Sequence, residues 1–81
     1  MTASLFERIV LLRDFPSEGL RAGDVGTVVE RYPAAGSAPE ACEIEFFAAN
    51  GESVAVASIP ADAVRAATDR DVLTARILTP A

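Results

Sequence analysis

Cys42 is the only cysteine, and the chain contains no histidine to activate it. A Cys–His nucleophile is therefore excluded. The plainer expectation is a small buried residue, and a lone reactive thiol is the alternative. The carboxylates Glu43, Glu45 and Glu52 can in principle bind a cation or exchange protons. No second ligand type converges on them, so a solvated strand face explains them better. Gly23 and Gly26 have glycine-loop spacing, but no helix signal follows and the lysine of a phosphate-binding loop is absent. Asp14 and Asp24 bracket a loop, where turn stabilisation accounts for them. Tyr32 can stack on a base, but no second aromatic at strand spacing supports a stacking platform. These residues imply no catalytic centre, no metal site and no cofactor.

The elements that must position these side chains belong to one domain, because the chain has 81 residues. A chain of this size buries roughly 60% of its unfolded surface, so little stability is in reserve. Hydrophobic residues make up 51% of the composition, but many are alanines. No apolar run approaches the ~18 residues of a membrane span. With no basic-then-apolar start and a single cysteine, the expected compartment is the cytoplasm. The net charge is −5, and all seven positive charges are arginines scattered along the chain. Such a surface repels nucleic-acid backbones, so a nucleic-acid partner is disfavoured.

The stretch Leu20–Glu30 is the organising one. Gly23-Asp24 signals a turn, and Val25 to Val29 suits a pleated surface. Gly26 within that run predicts a bulge or a close backbone approach. The run Ile9-Val10-Leu11-Leu12, stopped by Asp14 and Pro16, reads as the first strand. Ile9 and Leu11 are expected inward, with Val10 and Leu12 outward or under a loop. Residues 1–5 read as a frayed start. Asp14 to Ala22 is a loop, with Phe15 and Leu20 pinning it back or offering contacts. Asp24 to Tyr32 is the second strand, and Pro33 to Glu40 is a linking loop.

Ala41–Ala48 and Glu52–Ser58 form a hairpin around Asn50-Gly51. Cys42, Ile44 and Phe46 alternate with Glu43 and Glu45 and are expected inward. Val54 and Val56 are larger than Ala55 and Ala57, so they too are expected inward. A three-residue loop, Ala49-Asn50-Gly51, with Gly51 left-handed, then places Phe46 opposite Val54 and Ile44 opposite Val56. Phe47 points outward. It is either covered by a loop or the C-terminal tail, or it is an apolar contact for a partner. Ile59 to Val64 reads as one helical turn leading into a last strand at Val64–Ala66. In the tail, Thr68 and Asp71 have capping-box spacing, whereas Leu73, Ala75 and Ile77 alternate as in a strand. Residues 67–81 are thus helix or strand, and a lid over Phe47 or an arm for another chain.

Five short strands, a long first loop, a bent second strand and a helical turn before the last strand resemble an SH3-like barrel. The fold class is therefore all-β, with the barrel over residues 1–66 and a tail over residues 67–81. The stretch Leu12 to Val29 resembles a family of short uncharacterised bacterial proteins. The shared pattern is Arg-Asp-x-Pro, Glu-x-Gly-Leu and Gly-Asp-x-Gly-Thr-Val-Val. Glu43 to Phe46 and Asn50 to Glu52 also match, and the whole covers about residues 7–66. The resemblance implies the barrel without a biochemistry. Some members are encoded beside larger toxin-type proteins, which implies an immunity or antitoxin role. Gly23 to Val29 also resembles, more weakly, the core of the KOW motif of ribosomal and transcription-elongation proteins. The basic residues that accompany RNA binding there are missing here.

Taken together, the expected function is a non-catalytic protein-interaction module. Its contacts would be Phe15, Glu18 and Leu20 in the first loop, and Glu43, Glu45 and Phe47 on the hairpin. An acidic surface suits a basic protein partner. The alternatives are a KOW-like nucleic-acid-binding module and an accessory subunit of a larger enzyme. An unpaired edge strand leaves a homodimer open.

Overall fold

Residues 4–78 are described by the computed structural model; of the expected frayed start, residues 1–3 lie outside that range. The strands form where β-branched and apolar residues alternate: β1 (Arg8–Leu11), β2 (Val25–Tyr32), β3 (Ala41–Phe47), β4 (Ser53–Pro60) and β5 (Val64–Ala66). They make one antiparallel sheet in the order β4-β3-β2-β1-β5, a small barrel-like all-β fold. A 3-10 turn over Pro16–Glu18 shapes the first loop. Another over Ala61–Ala63 follows Pro60 and hands the chain to β5, as the sequence reading expects.

The hairpin follows the expected loop and departs from the expected register. Ala48 N–H donates to Glu52 O (2.8 Å), which encloses Ala49-Asn50-Gly51, and Gly51 is left-handed at φ +91°. One step further the register shifts by a bulge between Phe46 and Phe47. Phe46 therefore faces Ala55, Ile44 faces Ala57 and Cys42 faces Ile59. A one-residue shift exchanges the two faces of a strand, so Val54 and Val56 point outward and the alanines point inward. The physical reason is volume. Ile44 and Phe46 already fill the interior at these levels, and only small side chains fit opposite them.

The core consists mainly of Ile9, Leu11, Leu20, Val28, Ile44, Phe46 and Ile59. Gly26, opposite Phe46, provides the predicted close approach. A Cβ there would meet Glu45 O at 3.0 Å, the Phe46 ring at 3.0 Å and the Ile44 Cγ2 methyl. Val10 is on the outer face, yet only 6% exposed. It lines a hollow with Val25, Arg65 and the tail residue Val72, so the tail is the loop that shelters it.

From residue 67 to residue 78 the tail is neither helix nor strand, which corrects both expectations for it; residues 79–81 lie outside the described range. The capping spacing is nevertheless used. Asp71 accepts from Thr68 N–H (2.7 Å), and Asp71 N–H donates to Thr68 O (3.2 Å). This closes one turn, and the stretch that follows, which holds the β-branched Val72, Thr74 and Ile77, forms no helix.

Candidate functional site

Strand alternation divides the hairpin into an inner face and an outer face. The outer face carries Glu43, Glu45 and Phe47 from β3 and Val54 and Val56 from β4. Phe47 is 47% exposed, Val54 44% and Val56 52%. Glu45 stands between Thr27 on β2 and Val56 on β4. Glu43 stands between Glu30 and Ser58. Glu30 and Glu43 are thus like charges directly opposite each other, an arrangement that costs stability. Among the described residues no ion pair reaches Glu30, Glu43 or Glu45. Large apolar side chains and uncompensated carboxylates therefore share one exposed surface.

The first-loop residues are placed differently. Phe15 and Leu20 bridge through their backbones, with Phe15 N–H donating to Leu20 O (2.9 Å) and Leu20 N–H to Phe15 O (3.1 Å). Leu20 is 2% exposed and belongs to the core, so it is not a surface contact. Phe15 is half-buried against the same core, and the Arg13 guanidinium lies 5.4 Å above its ring. Glu18 is exposed in the 3-10 turn. Phe15 and Leu20 turn inward and Phe47 turns outward, so the six residues do not form one surface. Asp14 and Asp24 act as turn groups. Asp14 accepts from Ala22 N–H (2.9 Å) and Asp24 from Arg21 N–H (2.8 Å).

Sequence reasoning missed the fastening of the tail. Arg65 donates to both oxygens of Asp71, at 2.9 and 2.7 Å. Arg76 Nε donates to Asp24 Oδ1 (2.9 Å), and its Nη2 donates to Asp24 Oδ2 and to Gly19 O. Leu78 packs against the core. These contacts hold the tail over β5, β1 and the first loop, while Phe47 keeps its exposure, so the expected lid over Phe47 is not the arrangement found. Burial pushes the Asp24 carboxyl up, but the Arg76 guanidinium and the Arg21 N–H outweigh it and hold the group below 3.8. Arg65 and the Thr68 N–H hold Asp71 well below the usual carboxylate range.

Cys42 is buried, and burial, reinforced by Glu40, raises its thiol, which suits a packing residue. Among the described residues no three Cys, Asp or Glu side chains are placed to hold a metal ion, and no helix is long and apolar enough to cross a membrane.

A family model described as Domain of unknown function (DUF4926) matches residues 5–66. The chain belongs to this family. No curated protein and no solved structure matches it. The DUF4926 match ends where β5 ends, so both outer-face strands lie inside it and the fastened tail lies beyond it.

Proposed function

We propose that this DUF4926 chain is a non-catalytic protein-interaction module that docks a basic partner on the outer face of β3 and β4. One observation carries the reading: Phe47, Val54 and Val56 are exposed side by side, next to Glu43 and Glu45, which have no cation partner among the described residues. Contiguous exposed apolar surface with a polar rim is characteristic of interaction sites. Acidic groups on the rim raise the association rate with a basic protein. The strand order and the 3-10 turn before β5 favour an SH3-like barrel, a shape suited to binding rather than catalysis. A toxin or nuclease bound and neutralised by this face fits the antitoxin-like role implied by the family resemblance. The net charge of −5 weighs against the nucleic-acid alternative.

The test is capture of partners from native cell extract by the tagged wild type and by a variant combining Phe47→Ala, Glu43→Lys and Glu45→Lys. Circular dichroism confirms that both fold. A stoichiometric basic partner lost only by the variant is expected; equal capture by both overturns the reading.

A further inference from the structure

The direction of the β-sheet hydrogen bonds identifies how the partner attaches. Val28 N–H donates to Glu7 O (2.9 Å), and Val28 O accepts from Phe6 N–H (2.7 Å), so Val28 turns its polar groups toward β1. Neighbouring residues in a strand turn theirs to opposite sides. Thr27 therefore faces β3, and its opposite, Glu45, faces β2. Ile44 and Phe46 must then face β4, where Ala57 and Ala55 receive them. Val56 and Ser58 are left with N–H and C=O aimed at the far side of β4, where the sheet order places no strand. Pro60 has the same parity, so its missing N–H falls on the side where no ladder uses it.

Edge strands are normally guarded by charge, proline, a bulge or a cover. The other edge, β5, has a cover: Arg65 donates to Ala66 O (3.2 Å) and holds Asp71 of the tail. β4 reads Ser-Val-Ala-Val-Ala-Ser-Ile-Pro and has no charged residue. The bulge at Val54 lies at one of its ends and Pro60 at the other, so the stretch from Ala55 to Ser58 is unguarded. Among the described residues, no loop or tail backbone hydrogen bond reaches this stretch.

We propose that this edge takes up an extended basic segment of the partner as an added strand, its alternate Arg or Lys side chains lying across Val56 and Ser58 to meet Glu45 and Glu43. The proposal rests on the docking reading above and specifies its chemistry. An added strand lies about 4.8 Å from β4 and about 10 Å from β3. The aliphatic stem of an Arg or Lys spans most of that gap over Val56, leaving its charge beside Glu45. Backbone pairing supplies affinity and the alternate side chains supply specificity. A second copy of this chain is a poorer occupant, because its β4 offers no cation to the carboxylates and adds another net charge of −5.

The probe is the acetylated, amidated peptide Thr-Arg-Thr-Arg-Thr-Val-Thr, titrated into isotope-labelled protein and followed by amide shifts and hydrogen exchange. Shifts and slowed exchange at Val56 and Ser58 are expected. Ser58→Pro removes one edge N–H without touching the β3 ladder, and it should weaken binding about tenfold or more, a change of ~1.4 kcal/mol. Replacing the arginines of the peptide by glutamates should abolish binding. No binding by the arginine peptide overturns the proposal, as does binding that Ser58→Pro leaves unchanged. Sedimentation as a dimer that Ser58→Pro dissolves also overturns it in favour of a second copy. The natural partner separates the two readings. If it is lost by the Phe47, Glu43 and Glu45 variant but kept by Ser58→Pro, strand addition fails and the docking face stands. If it is kept by both variants, both fail.

Discussion

Arg76 grips Asp24 across 52 residues of sequence, with its Nε 2.9 Å from Oδ1 and its Nη2 on Oδ2. Asp24 also receives Arg21 N–H, so one carboxylate closes the turn before β2 and anchors the tail. The strand ladders do not pass through these two side chains. Arg76→Ala should therefore release the tail and leave the sheet intact. A partly buried charged hydrogen bond of this kind contributes on the order of 1–2 kcal/mol. Faster proteolysis after Arg70, with an almost unchanged circular dichroism spectrum, is the expected outcome. Cleavage at the wild-type rate would show that the Arg65–Asp71 pair and Leu78 hold the tail without it.

The same fastening predicts an acid transition. The folded Asp24 carboxyl titrates below its ordinary value of 3.8, so the unfolded state takes up the proton first as the pH falls. The contribution of Asp24 to stability is complete above the ordinary value and is lost as the pH falls through the folded value. Asp71 acts in the same direction. Tail amides should thus lose hydrogen-exchange protection in acid while the β3 amides keep theirs. In Asp24→Asn the Asp24 part of this acid dependence should disappear.

Gly26 is required by space rather than by dihedral angle. A methyl group there meets Glu45 O and the Phe46 ring at 3.0 Å, as well as the Ile44 side chain, and two of these belong to the packed core. Gly26→Ala should destabilise the fold by about 1–3 kcal/mol, the usual penalty of overpacking. Gly51→Ala has open space but a φ of +91°, and should cost about 1–2 kcal/mol from backbone strain alone. Urea midpoints measure both, and repacking around Gly26 should in addition perturb the Phe46 ring resonances.

Much of this was legible in the sequence. β-branched runs, the Asn50-Gly51 turn and Pro60 before a short helical turn are local signals, and each element forms within a residue or two of its expected place. The register of β4 was not legible. It depends on the volumes of Ile44 and Phe46 across the interior, which outweigh the rule that the larger residue of an alternating pair goes inside. The tail was illegible for a related reason: no local pattern links Arg76 to a carboxylate 52 residues away. Of the expected contact residues, Phe47, Glu43 and Glu45 were readable from alternation. Leu20 was legible only as a choice between pinning the loop and meeting a partner, because a loop position does not reveal that its side chain turns into the core.

The register itself can be tested by substitution. Ala57 is buried opposite Ile44, whereas Val56 is half-exposed opposite Glu45. Ala57→Val should therefore overpack the core and cost about 1–3 kcal/mol. Val56→Thr should change stability by no more than ~0.5 kcal/mol. The register with the valines inward predicts the reverse order, so a thermal melt of the two variants distinguishes the alternatives.

Glu43 separates stability from binding. It stands opposite Glu30, a like-charge pair that favours the unfolded chain. Glu43→Lys replaces repulsion with attraction across the strands and should stabilise the fold by about 0.2–1 kcal/mol. On the docking reading, the same substitution places a cation where the partner brings its own, and it should slow association and weaken the complex, more so at low salt. A variant that melts higher and binds worse would show that the carboxylate pair is retained for the partner at a cost to the fold. A variant that melts higher and binds equally well would remove Glu43 from the interface and confine docking to Glu45 and the apolar side chains beside it.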